Sequence, residues 1–181
     1  MTVVKPDEKG LAEVAGVLNS GGVAVIPTDT VYGLAAHPAF PDAVERLYSI
    51  KLRERRKPIA LLAASASAAE KFVGGFPDGA KGLMRHWPGA LTIVANGEGL
   101  RVPNHDWTRR LIAKCGGVLR VTSANLSGFR PATDAVDALR SVGLSADIAV
   151  DDGASPGGVA STVVKVDLEG TTILRQGAVI V

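Results

Sequence analysis

The stretch "VIPTDTVYGLAAHP" (residues 25–38) joins an apolar run to a cluster of polar side chains. The apolar run "GVAVIP" ends at Pro27, and two threonines, an aspartate and a tyrosine follow within five residues. Aspartate and threonine side chains bond readily to nearby backbone, so turn formation alone explains this pattern. The alternative is that a buried strand delivers its hydroxyl groups to a small polar ligand.

Two later segments repeat this arrangement of apolar and hydroxyl-bearing residues. "VTSANLSG" (residues 121–128) ends an apolar run in threonine, serine and asparagine, and "GGVASTVV" (residues 157–164) opens one with a serine and a threonine. Each segment alone is typical of a capped turn. Because strand ends in α/β sheets commonly border one crevice, we expect the hydroxyl-rich ends to share a cleft.

The periodicity of apolar residues predicts alternating helices and strands. Helices are predicted at residues 7–19, 41–51, 65–73, 78–87, 106–114 and 133–139, the last with Thr133 as its N-cap. Strands are predicted at residues 22–27, 59–64, 90–95, 100–103, 117–125 and 147–153, with a hairpin of residues 161–167 and 171–177. We therefore predict an α/β fold, with a twisted mixed parallel and antiparallel sheet flanked by helices, in a single domain over residues 1–181.

Composition excludes several classes of protein. Of the 181 residues, 46% are hydrophobic and 21% are charged, which argues against disorder. A formal net charge of +2 is too small for a domain that binds nucleic acid by bulk charge. The single cysteine excludes internal disulfides and cysteine-rich zinc sites. No apolar run approaches membrane-spanning length, so we expect a cytoplasmic protein without a membrane partner.

The loop "IKLRERRKP" concentrates positive charge. Lys51, Arg53, Arg55, Arg56 and Lys57 supply five cations in seven residues, with only Glu54 to offset them. Most charge runs are solvated surfaces, and cations also suit the end of a helix. The loop is nevertheless anchored between a predicted helix and a predicted strand. It could therefore hold a polyphosphate through forked arginine contacts and lysine point charges.

The sequence lacks the common catalytic and nucleotide-binding motifs. It contains no phosphate-binding G-x-x-x-x-G-K-[ST], no G-x-G-x-x-G and no G-x-S-x-G nucleophile motif. The three histidines stand apart from one another, so no metal site is predicted. Cys115 lies in "LIAKCGG" and is predicted to be a small buried apolar residue, not a nucleophile.

Taken together, six motifs resemble the YrdC-like family of threonylcarbamoyl-AMP synthases in order and spacing. They are "VIPTDTVYGLAAHP", "IKLRERRKPIALL", "WPGALTIV", "LRVPNH", "VTSANLSG" and the pair "GGVASTVV" and "ILRQGAV". The resemblance spans residues 21–178 and implies a twisted α/β sheet around a concave basic cavity. It is closest to the short bacterial form, since larger members carry a second C-terminal domain.

The resemblance also implies a reaction. L-Threonine, bicarbonate or CO2, and ATP would give threonylcarbamoyl-AMP and pyrophosphate, for modification of the adenosine next to the anticodon of tRNA. The implied cofactor is Mg²⁺ carried with ATP. The implied partners are a downstream tRNA-modifying transferase complex and tRNA itself.

Site residues follow from the same resemblance. Thr30 and Tyr32 would form the threonine pocket, and Arg101 would bind the substrate carboxylate. Ser123 and Ser161 would bond its other polar groups. For ATP, the resemblance implies the catalytic pair Lys51 and Arg53, together with Lys57, Thr92, Asn125, Thr133 and Arg175. Arg55 and Arg56 are either further phosphate contacts or exposed.

The chain departs from the family pattern at a few positions. Ala90 and Asp106 replace prolines that are common in the family, and Val118 and Arg120 stand where small residues or proline are frequent. None of these changes removes a proposed ligand. Arg120 lies inside a predicted strand, and we expect it to point to solvent or to a partner that handles tRNA.

Two other functions fit parts of the sequence. A carbamoyl-adenylate-forming module, as in hydrogenase-maturation proteins, would share the fold, but such modules normally sit in much longer chains with zinc-finger-like cysteines. An RNA-binding or ribosome-assembly protein could use the basic cavity. The net charge of +2 and only eight aromatic residues argue against this second alternative.

Overall fold

The opening motif lies in the interior of the sheet. A computed structural model describes residues 1–142 and 145–181 of the chain. Strand β2 (Val23–Ile26) is buried at every position and pairs antiparallel with β3 (Gly33–Ala36), which follows the polar loop. The sequence analysis did not predict β3, because four small or apolar residues give no alternation to detect.

The other described strands are β1 (Thr2–Val4), β4 (Leu61–Ala63), β5 (Leu91–Ala95), β6 (Glu98–Arg101), β7 (Val118–Ser123), β8 (Ile148–Val150), β9 (Thr162–Asp167) and β10 (Gly170–Arg175). All described strands belong to one ten-stranded sheet, in the order β1-β8-β2-β3-β7-β4-β6-β5-β9-β10. Parallel and antiparallel pairs both occur, which confirms the predicted mixed sheet.

Helices cover most of the sheet. They are α1 (Glu8–Asn19), α2 (Pro41–Lys51), α3 (Ala66–Val73), α4 (Asp78–Lys81), α5 (Asp106–Lys114) and α6 (Ala135–Val142), with a short 3₁₀ turn at Leu83–His86. In the described part of the chain, none of these helices has the length and hydrophobicity needed to cross a membrane.

Side-chain alternation along β2 explains how the helices are distributed. Ala24 and Ile26 pack with α1 and α5, whereas Val23 and Val25 pack with α2 and α6 on the opposite face. Successive residues of a strand point to opposite faces, so a continuous apolar strand needs a hydrophobic layer on both sides. The fully buried β2 therefore lies between two helical layers.

The far half of the sheet has an uncovered face. Leu91 and Ile93 of β5 pack on the core beneath α3 and α4. Thr92 and Val94 alternate with them and face a cavity on the other side. This open face, with its polar border, is where the candidate site lies.

Two helix predictions were wrong in detail. The segment predicted as one helix at 78–87 is the short α4 followed by the 3₁₀ turn, with Gly82 between them, because glycine disfavours a continued helix. The helix predicted at 133–139 is α6, and Thr133 is not its cap. Asp134 Oδ1 accepts the backbone N–H of Asp137 at 2.8 Å, so the carboxylate takes the capping role.

Candidate active site

A cavity of about 400 Å³ opens on the uncovered face of the sheet. It gathers eight of the residues that the sequence predicts as ligands: Thr30, Tyr32, Arg53, Thr92, Arg101, Ser123, Ser161 and Arg175. A smaller cavity of about 170 Å³ shares Arg53 and Ser123 with it and adds Lys51, Lys57 and Asn125. The predicted meeting of hydroxyl-rich strand ends in one cleft is therefore confirmed.

Strand register explains why distant segments meet here. Gly33 of β3 pairs with Ser123 of β7, which brings loop 27–32 beside loop 123–125. On the other side, Leu91 pairs with Thr162, so Thr92 of β5 lies next to Ser161 at the start of β9. Arg101 ends β6, between these two groups in the sheet order.

Arg101 organises one end of the cavity. Its Nη1 donates to Thr30 Oγ1 over 2.8 Å, and its Nη2 donates to the carboxylate of Asp29. Its Nε donates to the carbonyl oxygen of Gly89 over 2.9 Å. Burial lowers the pKa of Arg101, while the charge of Asp29 opposes that shift. The guanidinium thus has a fixed orientation, and its charge has a counter-ion inside the protein.

Tyr32 fixes the wall beside Thr30. Its hydroxyl donates to Gly153 O over 2.8 Å and accepts the backbone N–H of Asp152 at 3.0 Å. Burial raises the pKa of Tyr32 to about 12, so the phenol keeps its proton at neutral pH. The backbone N–H of Tyr32 donates to Ala132 O at 2.9 Å, and its carbonyl accepts from Ala124. Tyr32 therefore joins three loops around the cavity.

The segment 153–160 packs over this end of the cavity. A Cβ on Gly157 would lie 2.5 Å from the carbonyl oxygen of Asp29 and 3.2 Å from Thr30 Cα. Ser155 N–H donates to Thr133 O over 2.6 Å, and Ala160 lines the cavity. Glycine is needed at position 157 because the two backbones approach too closely for a side chain.

Ser161, Thr92 and Arg175 form a second polar group. The hydroxyls of Thr92 and Ser161 are 2.8 Å apart, and Arg175 Nη2 donates to Ser161 O at 2.6 Å and to its Oγ at 3.2 Å. Burial lowers the pKa of Arg175, and the positive charge of Arg53 lowers it further. Two arginines therefore face the same space with neutral hydrogen-bond partners, an arrangement that favours an anion.

Arg53 is held by the loop that carries it. Leu52 ends α2 in the left-handed conformation, with φ of 51°, which is uncommon for this residue type. The chain then curls around the Arg53 guanidinium, whose Nε donates to Lys57 O at 2.9 Å and whose Nη2 donates to Pro58 O at 3.1 Å. Among the described residues, none accepts a hydrogen bond from Nη1 of Arg53.

Lys51 is buried, and its ammonium supports loop 123–125. Nζ donates to the carbonyl oxygens of Ser123 and Asn125, and to Asn125 Oδ1 at 3.1 Å. Burial lowers the pKa of Lys51 to about 8, and the charge of Arg53 acts in the same direction. Because three acceptors use the three N–H groups of its ammonium, Lys51 positions this loop. The predicted contact between Lys51 and ATP stays a prediction.

The rest of the cationic loop is largely ion-paired. Arg55 pairs with Glu45, while Arg56 and Lys57 both pair with Glu54. The side chains of Arg55 and Arg56 are 76% and 80% exposed, which favours the exposed alternative for both. Because Glu54 and Asp29 offset part of the local charge, the basic character of the cavity also stays a prediction.

Thr133 and Arg120 differ from the other predicted residues. Thr133 lines neither cavity, so its role in ATP binding rests on the resemblance alone. The Arg120 side chain does not extend into solvent, since it forms a forked ion pair with Glu98 at 2.6 and 2.7 Å and donates to Ile59 O; the predicted contact with a partner stays a prediction. The charge inside β7 is therefore compensated by a carboxylate on β6.

Two polar residues at the site, Thr28 and Asp29, were not predicted. Both lie in the opening motif, but the sequence alone assigned neither of them a role. The available signal was that a carboxylate at the end of a buried strand needs a cation or several donors nearby. In the described part of the chain, no group of three histidine, cysteine, aspartate or glutamate side chains is arranged to hold a metal ion.

Comparison with known proteins decides the family. A family model described as telomere recombination, Sua5/YciO/YrdC, matches residues 16–177. The chain belongs to the Sua5/YciO/YrdC family. A Mycobacterium tuberculosis relative is 37% identical over 188 residues, covering 94% of this chain and 85% of its own length. The Bacillus subtilis threonylcarbamoyl-AMP synthase is 34% identical over 186 residues.

The structural match of this Sua5/YciO/YrdC chain agrees with the sequence. Pyrococcus abyssi Sua5, solved in complex with L-threonine, superposes with a TM-score of 0.90 at 28% identity and covers 97% of this chain. The chain spans 57% of the length of that Sua5 and 54% of the Bacillus subtilis enzyme. These relatives do not favour the RNA-binding alternative.

Proposed function

We propose that this chain is a threonylcarbamoyl-AMP synthase. It joins L-threonine, bicarbonate or CO2, and ATP into threonylcarbamoyl-AMP and releases pyrophosphate. One observation carries the proposal: a single cavity is lined by hydroxyl groups, by the buried Arg101 and by Arg53 and Arg175, two arginines for which the described residues provide no carboxylate partner. We assign the hydroxyl groups with Arg101 to a hydroxyl end of this cavity and Arg53 with Arg175 to a cationic end. An amino acid and a triphosphate need this combination side by side.

The hydroxyl end binds L-threonine. Thr30 and Tyr32 form its wall, and Arg101 directs its remaining N–H groups to the substrate carboxylate. Ser123 and Ser161 border the same space and bond the substrate's other polar groups. The small size of these side chains leaves room for an amino acid, and their polarity selects one that satisfies buried partners.

The cationic end binds ATP. Arg53 and Arg175 contact the phosphates, with Lys57 and Asn125 in the adjoining cavity and Thr92 between the two ends. Lys51 keeps loop 123–125 in place and adds positive charge next to the phosphates. Thr133 belongs to this set by resemblance.

The chemistry needs positioning and charge. The threonine amine attacks CO2 to form a carbamate and loses a proton. A carbamate oxygen then attacks the α-phosphorus of ATP, and the bond to pyrophosphate breaks. Arginines close to the phosphates stabilise the charge that develops on the leaving group. No covalent protein intermediate is required, in keeping with a buried Cys115 whose pKa burial raises to about 11.

Mg²⁺ enters with ATP as part of the substrate. None of the described carboxylates lines the larger cavity, and Glu54, which lines the smaller one, is paired with Arg56 and Lys57. The described residues therefore do not fit a metal held by the protein. Phosphate oxygens and water are the ligands that Mg²⁺ takes in such a case. The product then passes to a tRNA-modifying transferase complex, and we propose the cytoplasm as the compartment in which this transfer and contact with tRNA occur.

Pyrophosphate release tests this function. The purified protein is incubated with MgATP and bicarbonate, with and without L-threonine. We expect release that depends on threonine, together with an adenylate that contains the threonine mass. Pyrophosphate release that is the same with and without L-threonine would favour a carbamoyl-adenylate-forming module. RNA binding without any ATP turnover would favour the RNA-binding alternative.

A further inference from the structure

Thr28 lies beside Thr30 in a chain of hydrogen bonds. Its Oγ1 is 2.6 Å from Val31 O and 3.0 Å from Thr30 Oγ1, and Arg101 Nη1 lies 2.8 Å from Thr30 Oγ1 on the other side. Thr28 and Thr30 are 3% and 2% exposed, and both line the larger cavity, so these bonds lie at its wall and are largely shielded from bulk water.

The direction of every proton in this chain follows from the chemistry of its ends. A carbonyl oxygen can only accept, so Thr28 donates its one hydroxyl proton to Val31 O. A guanidinium can only donate, so Thr30 accepts from Arg101. The bond between the two hydroxyls therefore uses the proton of Thr30. The backbone N–H groups of Thr30 and Val31 also point at Thr28 Oγ1, at 3.1 and 3.3 Å. In this assignment they share one lone pair of that oxygen, and the Thr30 hydroxyl proton uses the other.

This direction limits what Thr30 can offer to a ligand. Its proton and one lone pair are used inside the protein, and one lone pair remains for the cavity that it lines. The ligand group next to Thr30 must therefore be a donor, which excludes a carboxylate. An ammonium is disfavoured, because Arg101 places a positive charge against the same oxygen. A neutral alcohol satisfies both conditions.

We propose that Thr28 is a specificity-determining positioning residue, which makes Thr30 the acceptor for the alcohol proton of L-threonine. This inference rests on the proposed function, since it names the substrate group that Thr30 contacts. Thr28 itself does not need to touch the substrate.

Binding of three amino acids to the wild-type protein tests whether Thr30 accepts a hydrogen bond from the ligand or donates one to it. L-Threonine has the alcohol proton, O-methyl-L-threonine keeps the oxygen without the proton, and L-isoleucine matches the ether in shape without the oxygen. By isothermal titration calorimetry we expect threonine to bind at least about tenfold more tightly than either of the others. The ether should bind no better than isoleucine. An ether that binds clearly more tightly than isoleucine would show that Thr30 donates, and would overturn the proposal.

Two variants test the role of Thr28. Thr28→Val keeps the shape of the side chain but frees the Thr30 proton. The affinity for O-methyl-L-threonine relative to that for L-isoleucine should therefore rise by about two- to tenfold. Thr28→Ser retains the hydroxyl and should leave this affinity ratio at its wild-type value. An unchanged ratio in the valine variant, or a serine variant that behaves like valine, would refute the role of Thr28. If the valine variant does not fold, Thr28→Ala replaces it with the same expectation.

The outcomes separate this inference from the proposed function. If the wild-type protein binds no L-threonine and releases no pyrophosphate with it, both proposals fail. If it binds and uses threonine but tolerates the ether, only the assignment of Thr28 and Thr30 fails.

Discussion

Asp29 and Arg101 form an ion pair at one end of the cavity, with side chains only 11% and 7% exposed. Asp29 follows β2 in the chain and Arg101 ends β6, two strands that are not neighbours in the sheet. The pair therefore ties loop 27–32 to the far half of the sheet. It also explains how a positive charge can be stable at the bottom of the proposed threonine pocket.

Replacing Asp29 by asparagine keeps the shape of the side chain and removes the counter-ion. Because Arg101 is left as an uncompensated buried charge, we expect the free energy of unfolding to fall by about 3 kcal/mol. Urea denaturation measures the change. Asp78→Asn is the matched control, since Asp78 pairs with Lys81 at the surface and its loss should change little. Equal effects of the two substitutions would argue against a special role for the buried pair.

Thr30→Ala tests the hydroxyl end by itself. Thr30 accepts from Arg101, whereas Arg53 and Arg175 line the same cavity and bond to other partners, Lys57 O and Ser161 O respectively. We expect the KM for L-threonine to rise by about tenfold or more, with a smaller change in the KM for ATP. Steady-state kinetics of pyrophosphate release measure both. Equal losses for the two substrates would contradict the separation into two ends.

Arg53→Ala and Arg55→Ala compare two neighbouring arginines in different surroundings. Arg53 lines both cavities, whereas Arg55 pairs with Glu45 and is 76% exposed. We expect the Arg53 variant to lower kcat by about a hundredfold, because it removes charge that stabilises the leaving group, and the Arg55 variant to stay near wild type. Circular dichroism checks that both variants fold. Unchanged turnover in the Arg53 variant would indicate that the whole loop is a solvated surface segment without a catalytic role.

Lys51 should give stability a particular pH dependence. Its pKa is lowered from 10.5 in the unfolded chain to about 8 in the folded protein. Below pH 8 both states carry the proton, and between pH 8 and 10.5 the unfolded chain binds more protons. The contribution of Lys51 to the free energy of unfolding therefore rises with pH in this interval.

Urea denaturation of wild type and Lys51→Met at pH 7, 8.5 and 10 measures that slope. We expect the wild-type protein to gain stability over the variant as pH rises. Lys81→Met is the control, since Asp78 raises the pKa of Lys81 and gives no upward slope in this range. Parallel pH profiles for wild type and Lys51→Met would contradict a lowered pKa.

Gly177 packs against the backbone of Ala160 and Ser161, next to the hydrogen bonds between Ser161 and Arg175. A Cβ there would lie 2.3 Å from Ala160 O and 2.6 Å from Ser161 O. Gly177→Ala should displace the Ser161 carbonyl, cost about 1–3 kcal/mol of stability and weaken ATP binding. Gly16→Ala in α1, where a Cβ meets nothing within 4 Å, should be neutral or stabilising. Denaturation and ATP titration measure the two effects; an unaltered ATP affinity for Gly177→Ala would refute this role.

Local patterns in the sequence predicted most of the elements. Helices α2 and α5 have the predicted bounds, because each combines a start signal with apolar residues at helical spacing. Strands β1 and β3 were missed, since three or four residues carry too little periodicity. The N-cap of α6 was misplaced by one residue because threonine and aspartate both cap helices well and stand next to each other.

The site was predictable in its residue types but not in its partners. Hydroxyl-rich strand ends indicated a cleft, and the resemblance assigned ligands to it. The counter-ion of Arg101 and the ion pair of Arg120 depend on contacts between residues 72 and 22 positions apart in the sequence. Such contacts are set by strand order, which local patterns do not contain. The three hydrogen bonds from Lys51 Nζ to oxygens of Ser123 and Asn125 had no sequence signal either.

A crystal structure with L-threonine and a non-hydrolysable ATP analogue would show whether both substrates bind in this one cavity. We expect the amino acid against Thr30 and Arg101 and the phosphates between Arg53 and Arg175, with the threonine nitrogen facing the α-phosphate across the same cavity. Well-occupied ligands on separate surfaces of the protein, or phosphates bound away from both arginines, would contradict this prediction.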